Sequence, residues 1–339
     1  MQTNYLTGKP EDLAQAAALI AAGEVVAIPT ETVYGLAADA RNGEAVAAIF
    51  RAKGRPADNP LIVHIAQYEQ LEGLFSHVPP TAKALAEAYW PGPLTMIFDK
   101  ADGVPDEVTA GLDTVAVRMP SHPIARELIR LSGCPLAAPS ANLSGSPSPT
   151  DAHRVAQDMD GRIAAIVDGG ACEFGVESTV VSLTGGTVRL LRPGAVTVEM
   201  LEAVVGSVEI DEAVLAPLRD GAAAASPGMK YKHYAPTARV VLVDGTPEQY
   251  RAWVNKQAAD GVMALCFDGE ETGLAVPFLT YGRRDDAATQ AKLVFEMLRR
   301  VDEKGARLVY TACPSAEGIG LAVFNRLLRA AGFEVITLE

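Results

Sequence analysis

The stretch EVVAIPTETVYGL, residues 24–36, runs from a short apolar segment directly into a polar turn. Residues 24–29 have the apolar, β-branched composition of a strand, and the turn that follows carries Thr30, Thr32 and Tyr34. The same succession of strand, polar turn and helical segment recurs along the chain. This alternation predicts an α/β fold in which polar side chains lie at the ends of strands.

The first 205 residues are predicted to form a single α/β domain with one mixed sheet. Further strands are predicted at residues 61–65, 94–98, 114–119, 163–168, 178–183 and 187–191. Helices are predicted at residues 43–53, 81–90, 122–133 and 151–161, and an amphipathic helix near the N-terminus. The resulting domain boundary is 1–205.

A long irregular connector is expected from residue 206 to residue 236, and a second α/β unit from 237 to 339. The connector ends in SPGMKYKHYAP, residues 226–236. The second unit is predicted to have strands at 238–245, 262–268, 306–312 and 333–338 and helices at 247–258, 285–304 and 317–331. Its regular alternation is typical of a small open sheet of parallel character.

Composition restricts the class of function. The formal net charge is −13 and the pI is about 4.9, so long-range repulsion from phosphate backbones makes stable nucleic-acid binding unexpected. An anion site must therefore be a local cluster of basic residues. The chain has no apolar run of membrane-spanning length, no secretory signal pattern, and four widely spaced cysteines. These features predict a cytoplasmic protein that does not bind membranes.

Motifs for the common nucleotide and hydrolytic sites are absent from the sequence. There is no GxxxxGK[ST], no GxGxxG, no HExxH and no GxSxG. Instead, basic and hydroxyl side chains recur at the predicted strand ends. The segments that carry them are PTETVYGL (29–36), KGRPADNPL (53–61), TVAVRMPSHP (114–123), LAAPSANLSGSPSPT (136–150), ESTVVSL (177–183) and RLLRPGAV (189–196).

Three features of these segments favour an enclosed anion site. Arg55 and Asn59 each precede a proline, which stiffens the loop that also carries Lys53. Arg118 lies within a strand that otherwise reads as buried, so it needs an anionic partner, either a carboxylate of the protein or a ligand. His64, in an apolar strand, is by itself more typical of a core residue. Together the segments predict a site that acts by positioning and charge stabilisation, with no protein nucleophile or metal cage.

The segments PTETVYGL, KGRPADNPLIVHI, WPGPLT, APSAN and RPGAV together resemble the YrdC-like domain. SPGMKYKHYAP followed by a small α/β domain resembles the two-domain threonylcarbamoyl-AMP synthases. The resemblance implies a twisted mixed sheet with flanking helices around a basic cavity, joined by a long linker to a small Rossmann-like open α/β domain. It also implies a nucleotidyltransferase that converts L-threonine, bicarbonate and ATP to threonylcarbamoyl-AMP and pyrophosphate.

The resemblance further implies the roles of individual residues. Lys53 and Arg55 would be the catalytic cations. Threonine would be held by Thr32, His64, Arg118, Ala138 and Ser178, with Arg118 on its carboxylate. ATP would be held by Arg55, Asn59, Thr114, Ser140, Asn142, Ser148 and Arg192. Mg²⁺ would be bound through ATP, and the product would pass to a tRNA threonylcarbamoyl transferase.

Two alternatives remain open at this point. An RNA-binding or ribosome-assembly module could use the basic cavity as a docking site, although 6% aromatic residues and the negative charge argue against it. A different carbamoyl-adenylate chemistry occurs in the related domain of hydrogenase-maturation carbamoyltransferases. That domain is accompanied by zinc-finger and acylphosphatase-like segments, neither of which this sequence contains.

The segment SPGMKYKHYAP is predicted to act as a lid. A site that makes a hydrolysable acyl-adenylate must exclude water during the reaction and open afterwards. Lys230 or Lys232 would then approach phosphates, and Tyr231 or Tyr234 would cover the nucleotide, with Tyr234 slightly favoured. Docking of the aromatic rings on a domain surface is the alternative.

Overall fold

The computed structural model describes residues 2–217 and 234–339, which form two sheets flanked by helices. Within these residues the larger sheet has eleven strands, in the order β1-β8-β2-β3-β7-β4-β6-β5-β9-β10-β11. Its strands are β1 (Asn4–Thr7), β2 (Val26–Ile28), β3 (Gly35–Asp39), β4 (Ile62–His64), β5 (Leu94–Asp99), β6 (Thr114–Arg118), β7 (Leu136–Ala137), β8 (Ala165–Asp168), β9 (Thr179–Ser182), β10 (Arg189–Arg192) and β11 (Glu209–Ile210). The α/β prediction with one large mixed sheet is confirmed.

Seven α-helices accompany this sheet in the described part of the chain. They are α1 (Pro10–Ala21), α2 (Gly43–Lys53), α3 (Pro80–Tyr89), α4 (Asp106–Thr109), α5 (Pro123–Ser132), α6 (Ala152–Met159) and α7 (Val198–Val205). Helix α2 illustrates how the sequence sets the ends of a helix. Asn42 accepts hydrogen bonds from the backbone N–H groups of Glu44 and Ala45, and Gly54 ends the helix in the left-handed conformation at φ 61°.

Strand pairing brings the predicted site segments together. Strands β4 and β6 are parallel, with His64 opposite Arg118, and β7 pairs antiparallel to both β3 and β4. Strand β9 pairs parallel to β5 and antiparallel to β10. These pairings make segments that are far apart in the sequence neighbours in the middle of the sheet.

The second sheet is built from β12 (Arg239–Asp244), β13 (Val262–Cys266), β14 (Phe278–Thr280), β15 (Leu308–Ala312) and β16 (Val335–Thr337). Its order is β14-β13-β15-β12-β16 and its described pairs are all parallel, as predicted. Helices α8 (Pro247–Lys256), α9 (Ala287–Glu303) and α10 (Gly320–Ala330) connect the strands. The buried strands β13 and β15 are nearly continuous apolar runs, which is the pattern of a sheet covered on both faces.

Several elements were not predicted from the sequence. Strand β3 has the sequence GLAAD, whose small residues lack the β-branched composition that identifies strands. Strand β1 at the N-terminus, β14 and helix α7 were also missed. The connector expected to be irregular from residue 206 contains β11, which adds to the larger sheet through β10.

The two units share a charged and apolar interface. Arg154 of α6 pairs with Glu296 and Glu303 of α9, and Arg299 pairs with Asp158. Val33 and Val176 from the first unit belong to the buried apolar cluster of the second. The C-terminal unit therefore packs directly on the loops that follow β2 and precede β9.

Candidate active site

The predicted site segments converge on one cavity beside strands β3, β4 and β6, which lie in the interior of the larger sheet. It holds about 700 Å³ of empty space, its open mouth included, and four basic side chains line it: Lys53, Arg55, Arg118 and Arg192. Hydroxyl, amide and imidazole groups complete its polar wall. Loop 29–36 is tied to loop 139–149 by the hydrogen bonds of Leu36 N to Pro139 O and of Tyr34 N to Pro149 O.

All five residues predicted to hold threonine line this cavity. They are Thr32, His64, Arg118, Ala138 and Ser178. They come from five separate parts of the chain, and the pairing of β4 with both β6 and β7 brings three of them together. This places a hydroxyl group, an imidazole and a guanidinium at one end of the cavity.

The residues predicted to hold ATP divide into three groups. Arg55, Ser140, Asn142, Arg192 and Tyr234 line the cavity, as does the catalytic candidate Lys53. Asn59, Thr114 and Ser148 do not line it in the described structure: Thr114 begins β6, roughly 13 Å along the strand from Arg118. Tyr231 lies outside the described residues, as do Lys230, Lys232 and most of the predicted lid.

Arg118 already has a carboxylate partner within the protein. Its Nη2 lies 2.7 Å from Glu31 Oε1, and its Nη1 donates to Thr32 Oγ1 at 2.9 Å. Both charged side chains are about 3% exposed. Burial alone would raise the pKa of Glu31, but the charge of Arg118 and its hydrogen bond lower it below the usual value. Glu31 is therefore ionised, and it holds the guanidinium of Arg118 beside Thr32.

His64 is a neutral imidazole near physiological pH. Burial, followed by the nearby charge of Arg118, lowers the pKa of His64 to about 3. Its Nδ1 lies 3.1 Å from Ile62 O, a contact in which the N–H donates to the carbonyl. The ring therefore contributes a polar group without adding a second positive charge beside Arg118.

Lys53 links helix α2 to the loop that follows β7. Its Nζ donates to the backbone carbonyls of Ser140 and Asn142, the latter at 2.7 Å. Ser140 Oγ in turn donates to Asn142 Oδ1. Burial and the neighbouring charge of Arg55 lower the pKa of Lys53 well below its usual value. The lysine holds the APSAN segment against the cavity.

Arg192 and Ser178 form a second fixed pair. Arg192 Nε donates to Ser178 O and its Nη2 to Ser178 Oγ, both at 3.0 Å, while Ser178 Oγ also lies 2.8 Å from Thr95 Oγ1. These bonds hold the guanidinium beside a residue predicted to contact threonine. The pair therefore fixes Ser178, predicted to contact threonine, next to Arg192, predicted to contact ATP.

Asn59 is buried with its side-chain amide unsatisfied. It is 0% exposed, and neither Oδ1 nor Nδ2 has a hydrogen-bond partner among the described residues. Its backbone carbonyl accepts from Arg55 Nη2 at 3.1 Å. Because buried amides without partners are rare in proteins, the predicted ligand contact of Asn59 stays a prediction, although the residue does not line the cavity.

The described end of SPGMKYKHYAP reaches the cavity. Tyr234 lines it, is 5% exposed and has a φ of 64°, an uncommon conformation for a tyrosine. Ala235 N donates to Gly145 O at 3.0 Å, which fixes this end of the segment against the first unit. The rest of the predicted lid lies outside the described residues.

Sequence reasoning missed two acidic residues at the site: Glu177, which lines the cavity, and Glu31, which pairs with the cavity residue Arg118. Glu31 lies within PTETVYGL and Glu177 begins ESTVVSL, and both segments were quoted for their hydroxyl groups alone. Glu177 accepts from Ser148 Oγ and from Arg326 Nε of α10. The available signal was an acidic residue in each of these strand-end segments, because the buried cations predicted nearby need counter-ions.

No described residues form a group of three histidine, cysteine, aspartate or glutamate side chains suited to a metal ion. Residues 2–217 and 234–339 also contain no helix both long and apolar enough to cross a membrane.

Each of the two units matches a known protein family. The Sua5/YciO/YrdC family model, described as "Telomere recombination", matches residues 18–194, and a model described as "Threonylcarbamoyl-AMP synthase, C-terminal domain" matches residues 196–332. The chain is 48% identical over 338 residues to the threonylcarbamoyl-AMP synthase of Bacillus subtilis, covering 98% of this chain and 97% of that protein. It is 47% identical over 330 residues to that of Pyrococcus abyssi, covering 95% and 94%.

A solved structure agrees with these sequence matches. The crystal structure of P. abyssi Sua5 complexed with L-threonine matches with a TM-score of 0.93 at 43% identity and covers 100% of both chains. Both units and their arrangement are therefore shared with that protein. The chain belongs to the threonylcarbamoyl-AMP synthase family, in the form that joins a YrdC-like domain to a second C-terminal domain.

Proposed function

We propose that this protein is an L-threonylcarbamoyladenylate synthase, a nucleotidyltransferase that uses L-threonine and ATP. One observation carries the proposal: a single cavity is lined by the five residues predicted for threonine and by five of those predicted for ATP. Full-length relatives at 47–48% identity carry the same name. The RNA-binding alternative gains no support from these relatives.

The proposed reaction consumes bicarbonate as the third substrate. The threonine amine forms an N–C bond with the bicarbonate carbon, and water is released as the carbamate forms. A carbamate oxygen then forms a bond to the α-phosphorus of ATP. The bond from that phosphorus to the bridging oxygen breaks, and pyrophosphate leaves with the electron pair. All reacting atoms come from the substrates, so the protein needs no nucleophile of its own.

The protein contributes positions and charges to this reaction. We assign Arg118 to the threonine carboxylate, because its guanidinium is held beside Thr32 at the end of the cavity that also carries His64. Lys53, Arg55 and Arg192 then offset the repulsion between the carbamate and the triphosphate. Ser140 and Asn142 offer polar contacts to the nucleotide. Asn59, Thr114 and Ser148 remain proposed contacts although they lie outside the cavity wall.

Mg²⁺ is proposed to enter with ATP. Glu177, which lines the cavity, and Glu31, which lies behind Arg118, are each paired with an arginine. We therefore expect oxygens of the triphosphate, and not a protein carboxylate, to supply the ligands. When bound, the cation would neutralise charge that develops on the leaving pyrophosphate.

The remaining proposals concern organisation and context. We propose a catalytic unit at residues 1–205, a connector at 206–236 and a C-terminal unit at 237–339, supported by the two separate sheets. We further propose that the product passes to a tRNA threonylcarbamoyl transferase in the cytoplasm. An activated acyl-adenylate hydrolyses readily, which favours prompt transfer to such an acceptor enzyme.

The test is pyrophosphate release from ATP in the presence of bicarbonate, measured with each amino acid in turn. We expect release that depends on L-threonine and on bicarbonate together. Equal release with serine, glycine or no amino acid would contradict the assignment.

A further inference from the structure

Glu177 lies between the cavity and the C-terminal unit. Its Oε1 accepts from Ser148 Oγ, and its Oε2 accepts from Nε of Arg326 in α10 at 2.7 Å. Arg326 Nη2 also approaches the backbone oxygen of Glu177 at 3.4 Å. Arg326 is 0% exposed and Glu177 is 5% exposed, so this ion pair is shielded from solvent.

A second guanidinium, that of Arg192, lines the same cavity as Glu177. Glu177 directly precedes Ser178, to which Arg192 donates from both Nε and Nη2. Burial alone would raise the pKa of Glu177, but Arg326 first and Arg192 second hold it below the usual value. The carboxylate is therefore ionised and is attracted by two arginines, of which Arg326 is the one that it contacts.

Arg326 also supports the cavity wall. Its guanidinium lies 5.6 Å from the ring centroid of Tyr234, whose ring is 5.2 Å from that of Phe295 in α9. Tyr234 and Glu177 both line the cavity. Two residues of the C-terminal unit, Phe295 and Arg326, thus lie directly behind the wall of the candidate active site.

We propose that Arg326 is a positioning residue for the nucleotide half of the active site: it holds the Glu177 carboxylate on Ser148 and so keeps it from turning toward Arg192 and the triphosphate. The proposal rests on the proposed function, because it assigns Arg192 to the triphosphate. It gives the C-terminal unit a direct part in binding ATP. An ionised carboxylate released toward Arg192 would both pair with that cation and repel the phosphates.

The first variant is Arg326→Met, which keeps an unbranched apolar stem and removes the charge. We expect the affinity for a non-hydrolysable ATP analogue, measured by calorimetry, to fall roughly 10- to 100-fold, the range of one charge-assisted contact. The KM for threonine should change by less than about threefold, since Arg118 and Thr32 do not contact Arg326. Equal losses for both substrates would overturn the proposal.

The second variant, Glu177→Gln/Arg326→Met, separates charge from packing. Glutamine keeps an oxygen that can accept from Ser148 but carries no charge. We expect the double variant to regain ATP-analogue affinity to within about threefold of the unmodified protein. A double variant as weak as the single one would mean that Arg326 acts only through packing, and the proposal would be wrong.

A matched control is Arg154→Met, which breaks the ion pairs to Glu296 and Glu303 across the same interface. Those residues do not line the cavity. Its affinity for the ATP analogue should be unchanged, and a loss equal to that of Arg326→Met would contradict a specific role.

Two further outcomes are distinguishable. If Arg326→Met does not fold, Glu177→Gln alone decides: ATP-analogue binding that is unchanged or tighter supports the proposal, and binding weakened more than about threefold contradicts it. Analogue binding tests the role of Arg326, whereas threonine-dependent pyrophosphate release by the unmodified protein tests the function. The failure of one is therefore visible separately from the failure of the other.

Discussion

At the scale of single residues, the guanidinium of Arg118 has a protein partner on one side and space for a ligand on the other. Glu31 and Thr32 hold it within the polypeptide, and its side chain lines the cavity. A buried cation is tolerated here because the carboxylate of Glu31 offsets its charge. The arginine is thereby pre-oriented before threonine arrives, which lowers the entropic cost of binding.

Arg118→Met should raise the KM for threonine roughly 10- to 100-fold, the worth of a charge-assisted contact, and change that for ATP much less. The same change leaves Glu31 unpaired and should cost roughly 3–5 kcal/mol of stability. Steady-state pyrophosphate release and urea unfolding measure the two effects.

The variant Glu31→Gln/Arg118→Met separates these effects. It should regain most of the lost stability and none of the threonine binding. Recovery of the threonine KM, or equal changes for threonine and ATP, would exclude a role for Arg118 at the carboxylate.

At the scale of elements, helix α2 carries Lys53 in its last turn and fixes the APSAN loop through it. Its first turn is capped by Asn42, roughly 15 Å away along the helix axis. The cap at Asn42 affects stability, and Lys53 affects the ligand site. Because the two residues are far apart, each can be changed without changing the other.

Asn42→Ala should lower the free energy of unfolding by about 1 kcal/mol, because two backbone N–H groups lose their acceptor. The KM values for threonine and ATP should stay the same. Urea unfolding checks the first statement and steady-state kinetics the second. Asn42→Ser, which keeps a capping oxygen, serves as the control, and an equal loss in both variants would show that the cap is not the cause.

At the scale of the whole molecule, the interface between the two units leaves no room for a side chain at Gly175. A Cβ there would lie 2.4 Å from Lys292 Cα and 2.6 Å from Ala291 O of α9, and the residue has a φ of 77°. Gly170, in the same loop, has a similar φ of 83° with nothing within 4 Å of a Cβ. Comparing substitutions at Gly170 and Gly175 therefore distinguishes the cost of backbone strain from the cost of a collision between the units.

Gly170→Ala should cost roughly 1–2 kcal/mol through backbone strain alone. Gly175→Ala adds the collision with α9 and should cost roughly 2–5 kcal/mol, with faster amide exchange in α9. Thermal unfolding and hydrogen exchange measure these effects. Equal destabilisation by the two variants, with α9 still protected, would mean that the packing of the units is not tight at this point.

The sequence by itself determined the α/β class, the parallel character of the C-terminal sheet and the segments that carry the site. These depend on local properties: apolar periodicity, turn residues and the spacing of basic side chains around prolines. Strands β1 and β3 were not predicted because the pairing of such short segments is decided by their neighbours in the sheet and not by their own composition.

Only the tertiary structure decided which charges face one another. The pairs Arg118–Glu31 and Arg326–Glu177 each join residues far apart in the chain, by 87 and 149 positions. The first pair lies within one unit, and the second crosses between the two units. Such partners depend on the strand order and on how the units pack, because burial makes an unpaired charge too costly and the folded chain alone specifies which counter-ion is within reach.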